Sequence, residues 1–196
     1  MAATIPFNGL TDSTSKLIKE VTASSSASVS FVNGSSDVVF DNTFDIYEIF
    51  YTNVHPATND VEFGFKATTN GTDFGVATTN TFNFDFTQED GGGTSTFQYS
   101  TSYDSVQSTG LVNLLHSVGN GNDESMSGRM IIYSPASTTF VKNFNFFTTG
   151  LHASDIAENF VGGGYINTTS AVTGLQFSMS SGNIDAGTFK LIGHRT

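Results

Sequence analysis

Apolar and polar residues alternate along most of this chain. "ASVSFVN" sets Ala27, Val29 and Phe31 against Ser28 and Ser30, and "TFNFDFT" sets Phe82, Phe84 and Phe86 against Asn83 and Asp85. "LQFSMS" does the same with Leu175, Phe177 and Met179 against Gln176 and Ser178. Successive side chains of a strand point to opposite faces, so each run predicts a strand with one face in a core and one in water. Turn clusters punctuate the runs: Asn33-Gly34-Ser35, Asn70-Gly71, Gly91-Gly92-Gly93, Gly119-Asn120-Gly121-Asn122 and Gly162-Gly163-Gly164. Their spacing predicts about ten short strands. Residues 13–21 (STSKLIKEV), with Leu17, Ile18 and Val21 on one side, and residues 152–160 (HASDIAENF) read as short helical turns. Many strands without alternating helices predict an all-β fold: an antiparallel β-sandwich, jelly-roll-like, over residues 27–196. Residues 1–26 precede it as an arm or short helix.

The alternation also predicts a core of Phe31, Phe63, Phe65, Phe82, Phe84, Phe86, Phe144, Phe146, Phe177, Phe189 and Leu191. Residues 43–54 and 60–68 are expected to pair as a hairpin around "HPATN", with Val54 opposite Asp60 and Glu48 facing Lys66. Three runs break the one-sided rule. "FDIYEIFYT" carries Tyr47, Ile49 and Tyr51 on one face, and Phe44, Ile46 and Phe50 with Glu48 on the other. "GRMIIYS" opposes Ile131 and Tyr133 to Met130 and Ile132, and "NFNFFTT" opposes Phe144 and Phe146 to Phe147. A strand apolar on both faces needs a cover on both. That cover is either the chain's own loops and N-terminal segment or a neighbouring subunit. The residues expected to make assembly contacts are Ile5, Phe7, Leu10, Leu17, Ile18, Phe44, Ile46, Phe50, Met130 and Ile132.

Composition narrows the function. The 196 residues suit one domain with a substantial core. Charged residues make up only 13% against roughly 25% in an average chain, so Ser, Thr, Asn and Gly must supply the polar surface. A net charge of −11 with scattered Lys and Arg disfavours nucleic acid as a direct partner. The absence of cysteine removes disulfides, thiolate metal sites and Cys nucleophiles. The N-terminal stretch lacks the pattern of a signal peptide and no run is long enough to span a membrane as a helix, so the expectation is synthesis in a host cytoplasm. The sequons at Asn33, Asn70 and Asn167 read as turns.

No catalytic constellation emerges. The histidines, His55, His116, His152 and His194, sit in separate segments without an H-x-H or H-x-x-H companion, so a metal site requires long-range convergence and none is assigned. There is no G-x-S-x-G elbow and no phosphate-binding glycine loop. Asp45 and Glu48 superficially resemble the strand acids of concanavalin-like glycosidases. Positions three apart on a strand face opposite ways, however, and cannot flank one sugar bond. Asn120, Asn122, Asp123 and Glu124 supply oxygen ligands without the spacing of a calcium loop, and read as a solvated turn. Neither a cofactor nor an enzymatic activity is expected.

Two stretches carry a family resemblance. "SVSFVNGSSDVVFDNTFDIYEIFYTNVHPATND" and the terminal "GTFKLIGHR" resemble structural proteins of tailed bacteriophages, marine and cyanobacterial phages in particular. The terminal strand of such proteins usually reads G-x-I-x-L-Y-G, and Ile192 stands here where an aromatic is common. The resemblance implies a jelly-roll-like virion protein without catalytic residues, most simply a capsid decoration or cement protein. Its partners would be other virion proteins, a major capsid or tail protein, and further copies of itself. The alternative is a tail-fibre or receptor-binding module recognising host glycans, and a third reading is a free carbohydrate-binding β-sandwich.

Overall fold

Alternation on this scale leaves the chain little choice but strands. The computed structural model describes residues 14–89 and 91–195, the side chain of Phe82 excepted. It contains thirteen strands: β1 (Ser15–Ser26), β2 (Val29–Val32), β3 (Ile46–Pro56), β4 (Val61–Thr68), β5 (Thr78–Glu89), β6 (Ser95–Tyr99), β7 (Ser105–Ser108), β8 (Val112–Val118), β9 (Met126–Tyr133), β10 (Lys142–His152), β11 (Ile156–Ile166), β12 (Gly174–Met179) and β13 (Ile184–His194). Among the described residues a 3₁₀ turn at Thr101–Tyr103 lies between β6 and β7. All strand pairs are antiparallel and belong to one branched sheet. Its main path runs β1-β13-β3-β9-β10-β8-β4-β12-β2, and Ala27 and Ser28 alone join the two end strands, so the sheet curls almost into a barrel.

The pairing is nested. β1 pairs with β13, β2 with β12, β3 with β9 and β4 with β8, as if one long hairpin had been rolled up. Lateral pairs β13–β3 and β12–β4 then join these into two runs, β1-β13-β3-β9 and β2-β12-β4-β8. The remaining strands arrive as two insertions. β5–β7 lie between β4 and β8 in the chain, and β10–β11 between β9 and β12. The insertions pair with each other through β5–β11, and β10 hydrogen-bonds along β9 while touching β8 at His152–Val118.

The core lies between the two runs. Tyr51 on β3, Phe63 on β4, Phe177 on β12 and Phe189 on β13 are all fully buried. Phe63 holds its ring 5.2 Å from Tyr51, 6.1 Å from Phe177 and 6.2 Å from Phe189. Phe65 meets Phe144 edge-on across the same interior. Aromatic pairs at such separations add to their hydrophobic burial. The Asn-Gly turns behave as their sequence predicts: Gly34 and Gly71 take φ of +77° and +82°, which favours glycine. Asn70 Oδ1 accepts hydrogen bonds from the Thr72 and Asp73 amides, closing its turn.

Several expectations are overturned. Residues 15–26 are neither arm nor helix but β1, a strand hydrogen-bonded along β13. β3 and β4 follow each other without pairing; β3 lies between β13 and β9, and β4 between β12 and β8. Glu48 therefore does not face Lys66, but stands opposite Ile192 and Ile131. Tertiary pairing of the rolled hairpin overrides the local tendency to fold back at "HPATN". Residues 152–160 are the tight connection between β10 and β11 with its flanking strand residues, rather than a helical turn. The Gly162–Gly164 run lies inside β11, because β5 and β10 crowd it from both sides. A Cβ on Gly164 would sit 2.1 Å from Thr79 O, and one on Gly162 2.6 Å from Phe146 Cζ.

β5 is inverted relative to its pattern. Asn83 and Asp85 are buried, whereas Phe86 is 43% exposed and Phe84 half-buried. The expected core positions Phe84 and Phe86 instead stack outside, against Phe97 and Tyr99 of β6. Phe31, Phe63, Phe65, Phe144, Phe146, Phe177, Phe189 and Leu191 are buried as expected.

Candidate functional site

The three doubly apolar runs become neighbours. They form β3, β9 and β10, side by side in the sheet. In register, Phe50 of β3 faces Arg129 of β9, which faces Phe147 of β10, which faces Val161 of β11. A parallel row brings Ile192, Glu48, Ile131 and Asn145 together, and Ile46 lies beside Tyr133. These residues point away from the core, with Phe147 45% and Tyr133 36% exposed. A shallow groove of about 460 Å³ runs between Phe50 and Phe147 over Gly128 and Arg129. Glu48 anchors the polar part of this face: Arg129 Nη1 donates to Glu48 Oε1 at 3.4 Å, and His194 Nε2 lies 3.1 Å from Glu48 Oε2.

The expected contact residues divide. Ile46 and Phe50 lie on this outer face, half-buried. Met130 and Ile132 do not; both are fully buried, opposite Ile49 and Tyr47, and it is Ile131 and Tyr133 that face out. Phe44 is buried against Tyr47, with Arg195 stacked over its ring, so it too offers no free surface. Leu17 is 51% exposed on the edge strand β1, whereas Ile18 packs against the core. Ile5, Phe7 and Leu10 lie outside the described residues. Of the loop acids, Glu124 folds back to accept the Gly121 amide, while Asn122 and Asp123 are exposed.

A second constellation was not legible in the sequence. Where the two insertions fold over the rolled hairpin, Asp85 of β5, His116 of β8 and Glu158 of β11 converge, each buried, with ligand atoms within 4.8 Å of one another. Each strand supplies its member by alternation: Asp85 from the inverted face of β5, Glu158 two positions before the core residue Phe160. His116 Nε2 lies 2.7 Å from Glu158 Oε1 and 3.5 Å from Asp85 Oδ2. The Tyr103 ring stacks on the imidazole at 4.3 Å, and Phe160 meets it edge-on at 5.4 Å. Gln98 Nε2 donates to Asp85 Oδ2 at 3.1 Å. Despite their proximity, neither His116 nitrogen, neither Glu158 oxygen nor Asp85 Oδ1 has a hydrogen-bond partner of acceptable geometry among the described residues. The approach is short but wrongly directed.

Electrostatics follow burial and charge. Burial pulls the His116 imidazole down, but the carboxylates of Asp85 and Glu158 outweigh it and raise its pKa from 6.5 to about 9. Burial pushes Glu158 above the usual carboxylate range, against the pull of His116. Burial also pushes Asp85 up, yet His116 and Gln98 hold it below its ordinary value. A cavity of about 310 Å³, lined by Gln98, Tyr99, Tyr103 and the edge of His116, opens the cluster to the outside.

No protein-family model matches the chain, and no curated protein or solved structure is matched by it.

Proposed function

We propose that this chain is a non-enzymatic bacteriophage virion structural protein, a capsid decoration or cement protein held on the outside of the particle. The observation that carries this reading is the apolar outer face of β3, β9 and β10, where Ile46, Phe50, Ile131, Tyr133 and Phe147 gather on one side of the sheet. Contiguous apolar patches of this kind mark contact surfaces. The nested pairing supports a jelly-roll-like fold, which is a rolled hairpin of eight strands, with β5–β7 and β10–β11 as its insertions. A surface low in charge and a net charge of −11 keep a many-copy shell component away from packaged nucleic acid. Other virion proteins and further copies of the chain are the partners this reading implies.

The test is co-sedimentation of purified protein with particles of the encoding phage that lack it. Wild type should bind. Phe50→Asp and Phe147→Asp should lose binding at least tenfold while far-UV circular dichroism and melting temperature stay near wild type. Unchanged binding by both variants would remove this face from the account. A tail-fibre module reading host glycans is the second reading, favoured by the exposed Phe86–Phe97–Tyr99 ladder, with Phe86 and Phe97 rings 4.7 Å apart.

A further inference from the structure

We propose that Asp85, His116 and Glu158 bind one divalent transition-metal ion, with Zn²⁺ preferred, which staples the two insertions to the rolled hairpin. The proposal is independent of where the protein works. The three ligand atoms come from β5, β8 and β11, and they lie within 4.8 Å of one another. Two donors bound at about 2.0–2.2 Å to a tetrahedral ion stand roughly 3.3–3.6 Å apart. The 3.5 Å separation of Nε2 from Asp85 falls in that span, and the 2.7 Å separation from Glu158 is short of it by less than a bond length, so a small outward shift of the Glu158 carboxylate admits an ion.

Charge points the same way. A neutral imidazole, two carboxylates and a dication sum to zero, which suits a site where Asp85 and Glu158 are 1% and 0% exposed. An imidazolium in the same place leaves one negative charge uncancelled, and its single Nε2–H can be aimed at only one carboxylate. Aimed at Glu158 Oε1, it still leaves Glu158 Oε2 and Asp85 Oδ1 buried without partners among the described residues. An ion between the three groups satisfies the ring nitrogen and both carboxylates at once. The donor set selects the metal. Imidazole nitrogen favours Zn²⁺ over Mg²⁺ and Ca²⁺, while two carboxylates also admit Mn²⁺. The surroundings hold the ligands in place: Tyr103 and Phe160 fix the imidazole plane, Gln98 orients Asp85, and the cavity beside Tyr103 gives an ion a way in. Three protein ligands leave one coordination position for water, and by joining β5, β8 and β11 the ion couples its binding to the folding of elements distant in the chain.

The experiment uses the full chain, purified without chelator. Elemental analysis should find close to one equivalent of zinc, or zinc taken up one-to-one in calorimetric titration after chelator treatment and dialysis. Added Zn²⁺ should raise the melting temperature of the stripped protein, with Mn²⁺ weaker. Glu158→Gln and Asp85→Asn should each weaken Zn²⁺ affinity at least tenfold, while His55→Ala, which removes the half-buried imidazole beside Asp185, should leave it unchanged. If the stripped wild-type chain neither takes up Zn²⁺ or Mn²⁺ nor melts higher in their presence, the proposal is wrong, however the variants fold. Affinity unchanged in Glu158→Gln, or lost in His55→Ala, would equally overturn it by moving the ion to the surface.

Discussion

Replacing Phe63 and Phe86 one at a time by alanine separates two phenylalanines that the alternation pattern treats alike. Phe63 is fully buried on β4, with Tyr51, Phe177 and Phe189 within 6.2 Å of its ring centre. A phenylalanine carries roughly 150–250 Å² of surface, which at ~25 cal/mol per Å² bounds the whole transfer at about 4–6 kcal/mol. Alanine retains a small part of that, while the cavity and lost ring contacts add to it, so Phe63→Ala should cost about 4 kcal/mol. Phe86 sits 43% exposed on the outward face of β5, and its main partner is the Phe97 ring at 4.7 Å. Losing half a burial and one stacked pair should cost about 1 kcal/mol. Urea unfolding followed by tyrosine fluorescence reads both. With a slope near 2 kcal/mol per M, the midpoint should fall by about 2 M for Phe63→Ala and about 0.5 M for Phe86→Ala. Equal losses would refute the inversion of β5, and with it the inward placement of Asp85.

Other outcomes follow from single contacts. Gly164→Ala should destabilise by about 1–3 kcal/mol, because its Cβ meets the Thr79 carbonyl at 2.1 Å; thermal melts and faster amide exchange in β5 and β11 check this, and a neutral substitution would show that those strands are further apart. A double-mutant cycle on Glu48 and Arg129, 3.4 Å apart, should give a coupling of about 0.5 kcal/mol that high salt reduces, whereas the cycle on Glu48 and Lys66 should give none. Coupling to Lys66 alone would restore the β3–β4 hairpin.

Strand content was legible because alternation depends on nearest neighbours in sequence. "ASVSFVN" and "LQFSMS" became β2 and β12 with Val29, Phe31, Leu175, Phe177 and Met179 inward as expected, while Ala27 precedes β2 and is exposed. Pairing was not legible, because it is decided by partners far along the chain. "HPATN" reads as a hairpin turn, yet β3 and β4 each find better partners in the nested arrangement. The polar face of "TFNFDFT" turned inward because a polar interior awaited it: Asn83 Nδ2 donates to Asp104 Oδ1, and Asp85 meets His116. That one inversion hid the Asp85–His116–Glu158 cluster, whose members carry no spacing signal. For "GRMIIYS" the doubly apolar character was correctly legible, but not which face was inner. The register with Tyr47 and Ile49 made Met130 and Ile132 core and left Ile131 and Tyr133 outside.

The central claim, that this chain works by being held on a virion, is tested most directly by counting it there. Quantitative mass spectrometry of purified particles of the phage proposed to carry it, against the major capsid protein as internal standard, gives copies per particle. The account predicts copies in the hundreds, proportional to the capsid protein. A few dozen or fewer would move the chain to the tail, and its absence from particles would contradict the account.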